Sequence, residues 1–193
     1  MGRFDDRSDE ELVARVRGSV AGDRRAFDVL VRRHQERVKA NCRYLTRRPS
    51  EAEDLAQDVF VKAYFALKRF EGRSTFKTWI HRIKINHCLN YLAKQKVRRH
   101  VDLDVGGDAP PDPLRAGPDA DRGLERQDAR RLIGEVLETL PDTLRVPLVM
   151  RDLDQLSYQE IADELGVGLS AVKMRIKRGR EQFRAEYAQR AAH

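Results

Sequence analysis

Ser50-Glu51-Ala52-Glu53-Asp54-Leu55-Ala56-Gln57-Asp58-Val59-Phe60 opens a stretch that runs to Arg99 and reads as helix, short loop, helix. Ala52, Leu55, Val59, Ala63, Leu67 and Phe70 recur at helical spacing on one face. Ser50 and Glu53 stand three apart and predict a capping box at the start. Glu71-Gly72-Arg73-Ser74-Thr75 then interrupts the pattern. Beyond it, Phe76, Ile80, Ile83, His87 and Tyr91 form one apolar stripe, and Ile85, Leu89 and Leu92 a second. Charge changes sign along the way. The first helix begins acidic, whereas Lys77 to Arg99 carries seven Lys or Arg and no Asp or Glu. An acidic helix, a Gly/Ser loop and a basic helix with Trp79 and Tyr91 interleaved point to two partners: a protein surface for the first, a polyanion with exposed bases for the second.

The rest of the chain is helical by the same criterion, and no segment sustains the alternation of a strand. Ser8 and Glu11 predict a capping box for a helix near Asp9, and Phe27, Leu30, Val31, His34, Val38 and Cys42 mark a helix from about Asp23 to Thr46. Leu132, Ile133, Val136, Leu137 and Leu140 mark another that Pro141 terminates; Pro147 inside the next pattern predicts a kink or a delayed start. Between the halves, Val101 to Gly123 gathers four Gly, four Pro and six Asp against two Arg, a local balance of 2 − 6 = −4. Such a segment cannot bury enough surface to offset its ordering entropy and reads as a flexible acidic linker. The expected fold is therefore all-α: a helical domain over 1–100, the linker over 101–123, and a second small helical domain over 124–193.

Between the two apolar stripes of the basic helix, Trp79, Arg82, Asn86 and Asn90 fall in one narrow sector, with Lys94 a turn further on. Amides pair with base edges, and an indole or guanidinium plane stacks on a base face, so this set suits unstacked bases. For the helix taken alone, a core Trp79 beside a solvated polar stripe is the slightly better account. His81 and His87 read as a surface and a core group, without Cys or His at metal-ligand spacing.

In the second half, Ser157-Tyr158-Gln159-Glu160-Ile161-Ala162-Asp163-Glu164-Leu165 starts on a capping box, Ser157 to Glu160, and stops at Gly166. After Val167-Gly168-Leu169, Ser170 is placed to cap a second helix from Ala171 to about Tyr187. Helix, Gly turn, helix is the helix-turn-helix pattern. Val172, Ile176, Gly179 and Phe183 face inward, Gly179 permitting close packing. Lys173, Met174, Lys177 and Arg178 face out towards base edges, with Arg175 and Arg180 suited to phosphates.

Composition narrows the classes. A net charge of +7 over 193 residues favours a nucleic acid or an anionic surface. No apolar run approaches membrane-spanning length, and Met1-Gly2-Arg3-Phe4-Asp5-Asp6 has neither a signal-peptide apolar region nor a myristoylation pattern. Cys42 and Cys88 share no short spacing, in keeping with a reducing cytoplasm. No phosphate-binding loop, metal cluster or nucleophile arrangement is evident, so neither catalysis nor a metal or cofactor is expected.

These features together resemble the extracytoplasmic-function sigma factors, the minimal two-domain class of bacterial promoter-specificity subunits. Asp54 to Ala63 resembles the helix by which that family docks on the clamp coiled coil of the polymerase β′ subunit, which implies Asp54, Gln57, Asp58, Phe60 and Val61 as polymerase contacts. Phe70 to Ile80 resembles the loop and helix start that melt and capture the −10 element, implying Gly72, Arg73, Ser74, Thr75, Trp79, Arg82, Asn86, Asn90 and Lys94. Leu140-Pro141 and Leu156 to Ala162 resemble the domain whose last helix enters the major groove at the −35 element, implying Ser170, Lys173, Met174, Arg175, Lys177, Arg178 and Arg180. Lys177 and Gly179 depart from the aromatic and Ala of some members, so no promoter sequence is implied. The resemblance implies core RNA polymerase, through β and β′, and promoter DNA, duplex and melted, as partners. It also implies an anti-sigma factor for many members, and a linker that threads the polymerase cleft; a plain tether explains that linker as well. A stand-alone helix-turn-helix regulator accounts for Ser157 to Phe183, but not for the acidic helix followed by the Trp79 sector.

Overall fold

The computed structural model describes residues 4–19, 23–102 and 124–192. Eight α-helices account for most of them: α1 (Asp9–Gly18), α2 (Arg24–Thr46), α3 (Ala52–Ala66), α4 (Phe76–Asp102), α5 (Leu124–Thr139), α6 (Asp142–Asp152), α7 (Tyr158–Leu165) and α8 (Leu169–Ala191). The linker expected over 101–123 lies almost wholly outside the described residues; Val101 and Asp102 close α4. The chain separates into two compact units, residues 1–42 with 51–107, and 43–50 with 108–193.

In the first unit the apolar stripe read along α3 is the buried one. Ala52, Leu55, Val59, Ala63, Leu67 and Phe70 are each at most 8% exposed. α3 packs along α4, and α1 packs against both α4 and the 3-10 turn Leu67–Arg69 that follows α3. From α4 the core takes Phe76, Ile80, Ile85 and Cys88; α1 adds Leu12, Val13 and Val16. The capping box at α1 forms as expected, with Glu11 N–H donating to Ser8 Oγ at 3.2 Å and Ser8 N–H to Glu11 Oε2 at 2.8 Å. At α3 it does not. Pro49–Glu51 forms a 3-10 turn that feeds into the helix, so Glu51, already near-helical, occupies the capping position and Ser50 makes no cap. An N-cap needs extended backbone at the capping residue, which that turn denies Ser50.

In the second unit α8 packs on α5, α6 and α7. Val136, Leu140, Val149, Met150, Ile161, Val172 and Ile176 form its centre. Ser157 and Glu160 close the second capping box, and Gly166 ends α7 in the left-handed region at φ 62°, a conformation that favours glycine. Pro147 sits inside α6, which nonetheless starts at Asp142, so no delayed start occurs. α8 starts at Leu169 behind Gly168, earlier than expected; Ser170 therefore lies within the first turn and not at the cap. Gly179 permits a close approach: a Cβ there would stand 3.2 Å from the Leu144 carbonyl oxygen and 3.6 Å from Leu148. Gly179→Val should overpack this contact and lower stability by about 1–3 kcal/mol, read as a lower Tm of the full chain by circular dichroism; an unchanged Tm would mean that the α6–α8 contact yields easily.

Candidate nucleic-acid interface

α3 presents a face quite different from its buried stripe. At about 100° per residue, Asp54, Asp58, Val61 and Phe65 fall within one narrow sector, with Gln57 beside them. Asp54, Gln57 and Asp58 are exposed, Val61 is 55% exposed and Phe65 76%. Phe60 departs from the expected set. It is only 7% exposed and forms part of a groove with Val31, Gln35, Lys39, Ala56 and Val61, because its position falls next to the core stripe at Val59 and Ala63. Phe65 was not legible as part of this exposed face: an aromatic off the core stripe signals nothing in sequence until its neighbours leave it uncovered.

Asp58 is tied to α4. His87 Nε2 faces Asp58 Oδ2 at 3.3 Å, and Lys62 Nζ donates to His87 Nδ1 at 2.5 Å. Burial and the Lys62 ammonium hold the His87 imidazole below its usual pKa against the opposing pull of Asp58, so the ring is neutral near pH 7. Neutral His87 can thus accept from Lys62 while turning its other nitrogen towards Asp58.

The loop before α4 reverses the chain at Gly72, whose φ of +75° favours glycine. Arg73 is almost fully exposed and pairs with Glu71 at 2.5 Å. Thr75 caps the first turn of α4, its Oγ1 accepting from Thr78 N–H at 3.2 Å. Ser74 is half-buried beside it. Trp79 is half-buried, with its ring 5.0 Å from Phe70 and 5.8 Å from Phe76 between centroids. That packing orients the indole and leaves part of it uncovered. Arg82, Asn86, Asn90 and Lys94 continue from it as an exposed row. The side chains of Asn86 and Asn90 have no hydrogen-bond partner among the described residues. On the opposite side His81 and Lys84 are buried at 1% and 0% exposure, which corrects the surface expectation for His81. His81 lies next to Ile80 and Ile85 on the inward side of the helix, among its buried residues.

In the second unit, Lys173, Met174, Lys177 and Arg178 are exposed on α8, Met174 at 49%, and Arg175 is half-buried. Arg180 is held in place: its Nε and Nη2 donate to Asp152 at 3.0 and 2.5 Å, which raises its pKa. This fork–fork pair ties α8 to the end of α6 and fixes the guanidinium at the flank of the basic face. Ser170 is exposed in the first turn of α8. Among the described residues no group of three or more His, Cys, Asp or Glu is placed to hold a metal ion, and no helix is long and apolar enough to cross a membrane.

Two faces of this kind, one on a helix pair and one on a helix-turn-helix, match known families in the same order. Residues 30–98 match sigma-70 region 2, and residues 130–183 match sigma-70 region 4. The chain is 36% identical over 185 residues to the ECF RNA polymerase sigma-E factor of Escherichia coli K12, covering 90% of this chain and 91% of that one. The chain belongs to the extracytoplasmic-function sigma factors. It is also 35% identical over 178 residues to the RNA polymerase sigma-H factor of Pseudomonas aeruginosa, with 90% of each chain covered. Among solved structures it resembles CnrH in complex with the cytosolic domain of CnrY, with a TM-score of 0.59, 25% identity, and 92% of this chain and 95% of that one covered. The sigma factor RpoE bound to the anti-sigma factor NepR from Bartonella quintana shares the fold, with a TM-score of 0.64 at 20% identity over 83% of this chain and 95% of that one.

As a sigma factor the chain is a promoter-recognition subunit of RNA polymerase. It binds core polymerase, recognises the −35 and −10 promoter elements and promotes DNA melting; it is an initiation factor and not an enzyme. The match to region 2 contains α3, the Gly72 loop and all but the end of α4. The match to region 4 contains α6 and α7 whole, with most of α5 and of α8.

Proposed function

We propose a division of labour among named residues of this sigma factor. Asp54, Gln57, Asp58 and Val61, with Phe65 added and Phe60 contributing only through the groove floor, dock on core polymerase. Gly72, Arg73 and Ser74 form the loop that receives the melted −10 strand, and Thr75 sets the start of α4 behind it. Trp79 offers the uncovered part of its ring for stacking, Arg82, Asn86 and Asn90 read unstacked bases, and Lys94 meets phosphate. On α8, Lys173, Met174, Lys177 and Arg178 meet base edges at the −35 element, while Arg175 and the Asp152-anchored Arg180 meet phosphates and Ser170 lies at the helix start beside the backbone. The domain division is 1–100, 101–123 and 124–193, the protein works in the cytoplasm, and an anti-sigma factor is a further partner, as it is for the RpoE–NepR pair.

One observation carries this reading: Asn86 and Asn90 stand exposed and unpartnered among the described residues, in register with Arg82 and the partly covered Trp79. Captured bases offset an unstacking cost of a few kcal/mol per step, so opening needs no ATP. Transcription starts mapped after overexpression supply a promoter template. On that template varied one base at a time, Asn86→Ala in the reconstituted holoenzyme should change which −10 base is preferred, whereas Lys94→Ala should weaken opening evenly and flatten its salt dependence. An Asn86→Ala holoenzyme with unaltered base preference would return Asn86 to a merely solvated stripe.

A further inference from the structure

The only two cysteines of the chain stand 46 residues apart, yet the fold brings them into contact. Cys42 on α2 and Cys88 on α4 are both 0% exposed, and their Sγ atoms lie 3.7 Å apart within the first unit. We propose that Cys42 and Cys88 form an oxidation site, bridged by a hydroperoxide-class oxidant, and that bridging displaces the reading face of α4. The second half of this statement rests on the assignment of Arg82, Asn86 and Asn90 above; the first half does not.

The chemistry balances without a further reactant. One thiolate attacks the peroxide oxygen, forming a sulfenic acid and releasing water or an alcohol. The second thiol attacks the sulfenic sulfur, a second water leaves, and a disulfide remains. Two thiols lose two electrons and two protons, and the peroxide takes up both. No third cysteine competes for the sulfenic acid. Buried thiols react slowly, so the rate is gated by local opening of the unit.

Geometry supplies the consequence. A disulfide needs its sulfurs at about 2.05 Å with a Cβ–S–S–Cβ angle near 90°, against the 3.7 Å found here. In a close-packed interior, closing that gap presses on neighbouring side chains, and the proposed relief is a shift of α4 against α2. Cys88 lies between Asn86 and Asn90 in sequence, about 200° round the helix from each. A shift at Cys88 therefore carries the base-reading row with it.

The test uses the full chain under native conditions. Hydrogen peroxide treatment, followed by alkylation and intact-mass analysis, should show loss of two hydrogens and a peptide pair joined through Cys42 and Cys88, both reversed by dithiothreitol. Reconstituted with core polymerase, the oxidised protein should open a duplex promoter at least tenfold less than the reduced protein, and dithiothreitol should restore it. Cys88→Ala and Cys42→Ala, each checked for native helicity, should be insensitive to peroxide; both keep Met174, so they also report any methionine oxidation. A bridge that forms only in denaturant would overturn the oxidation site. A native bridge that leaves opening unchanged would overturn the displacement of α4. A reduced holoenzyme that opens no promoter would count against the assigned function, while the mass result still decides the site.

Discussion

Asp58→Lys should abolish stable association with core polymerase while leaving the chain folded. Asp58 lies mid-stripe on α3, 64% exposed, with Asp54 one turn before it and Val61 and Phe65 after it. Truncating one partner of a hydrogen-bonded charge pair at an interface centre costs about 2–5 kcal/mol, roughly 30-fold to several-thousand-fold in Kd, and reversal costs more. The substitution also sets a cation beside Lys62 and removes the acceptor that faces His87. Helicity by circular dichroism therefore accompanies the binding measurement. Asp58→Asn, which keeps the shape, should lose less. A folded Asp58→Lys protein that co-purifies with core polymerase at wild-type yield would remove α3 from the docking surface.

The second large effect belongs to α8. Lys177→Ala with Arg178→Ala should weaken recognition of duplex upstream DNA by the sum of two base contacts, each about 1–3 kcal/mol. Both side chains are exposed; Lys177 reaches only a loose 4.0 Å pairing with Glu181. Neither contributes to the Val172–Ile176 core, so Tm should hold. Arg180→Ala is a different case, since it breaks the pair with Asp152 and should lower stability as well as binding. Duplex binding by fluorescence anisotropy over a salt series separates them. An even loss across sequences with a shallower salt slope would recast Lys177 and Arg178 as phosphate contacts.

What was legible in sequence was local. The capping boxes at Ser8 and Ser157 are reciprocal bonds over three residues, so spelling suffices to place them. The same spelling misleads at Ser50, because Pro49 starts a 3-10 turn, and at Ser170, because α8 begins before it. The core stripe of α3 and the row Arg82-Asn86-Asn90 follow from helical period alone. Features that depend on a neighbouring helix were not legible. Phe60 sinks and Phe65 stands out because of what packs beside α3; Trp79 is half-claimed by Phe70 and Phe76; and Arg180 is bound by Asp152 from another helix. Cys42 and Cys88 meet only through tertiary packing of α2 on α4.

Whether one face reads melted DNA and the other duplex DNA is tested most directly by crossing two sets of substitutions with two templates. One holoenzyme carries Arg82→Ala, Asn86→Ala and Asn90→Ala; the other carries Lys177→Ala and Arg178→Ala. Each is assayed for transcription from a duplex promoter and from the same promoter already opened across the −10 region. The α8 variant should fail on the duplex and recover on the premelted template, whereas the α4 variant should remain impaired on both. Equal rescue of the two variants, or rescue of neither, would contradict the division of reading between α4 and α8.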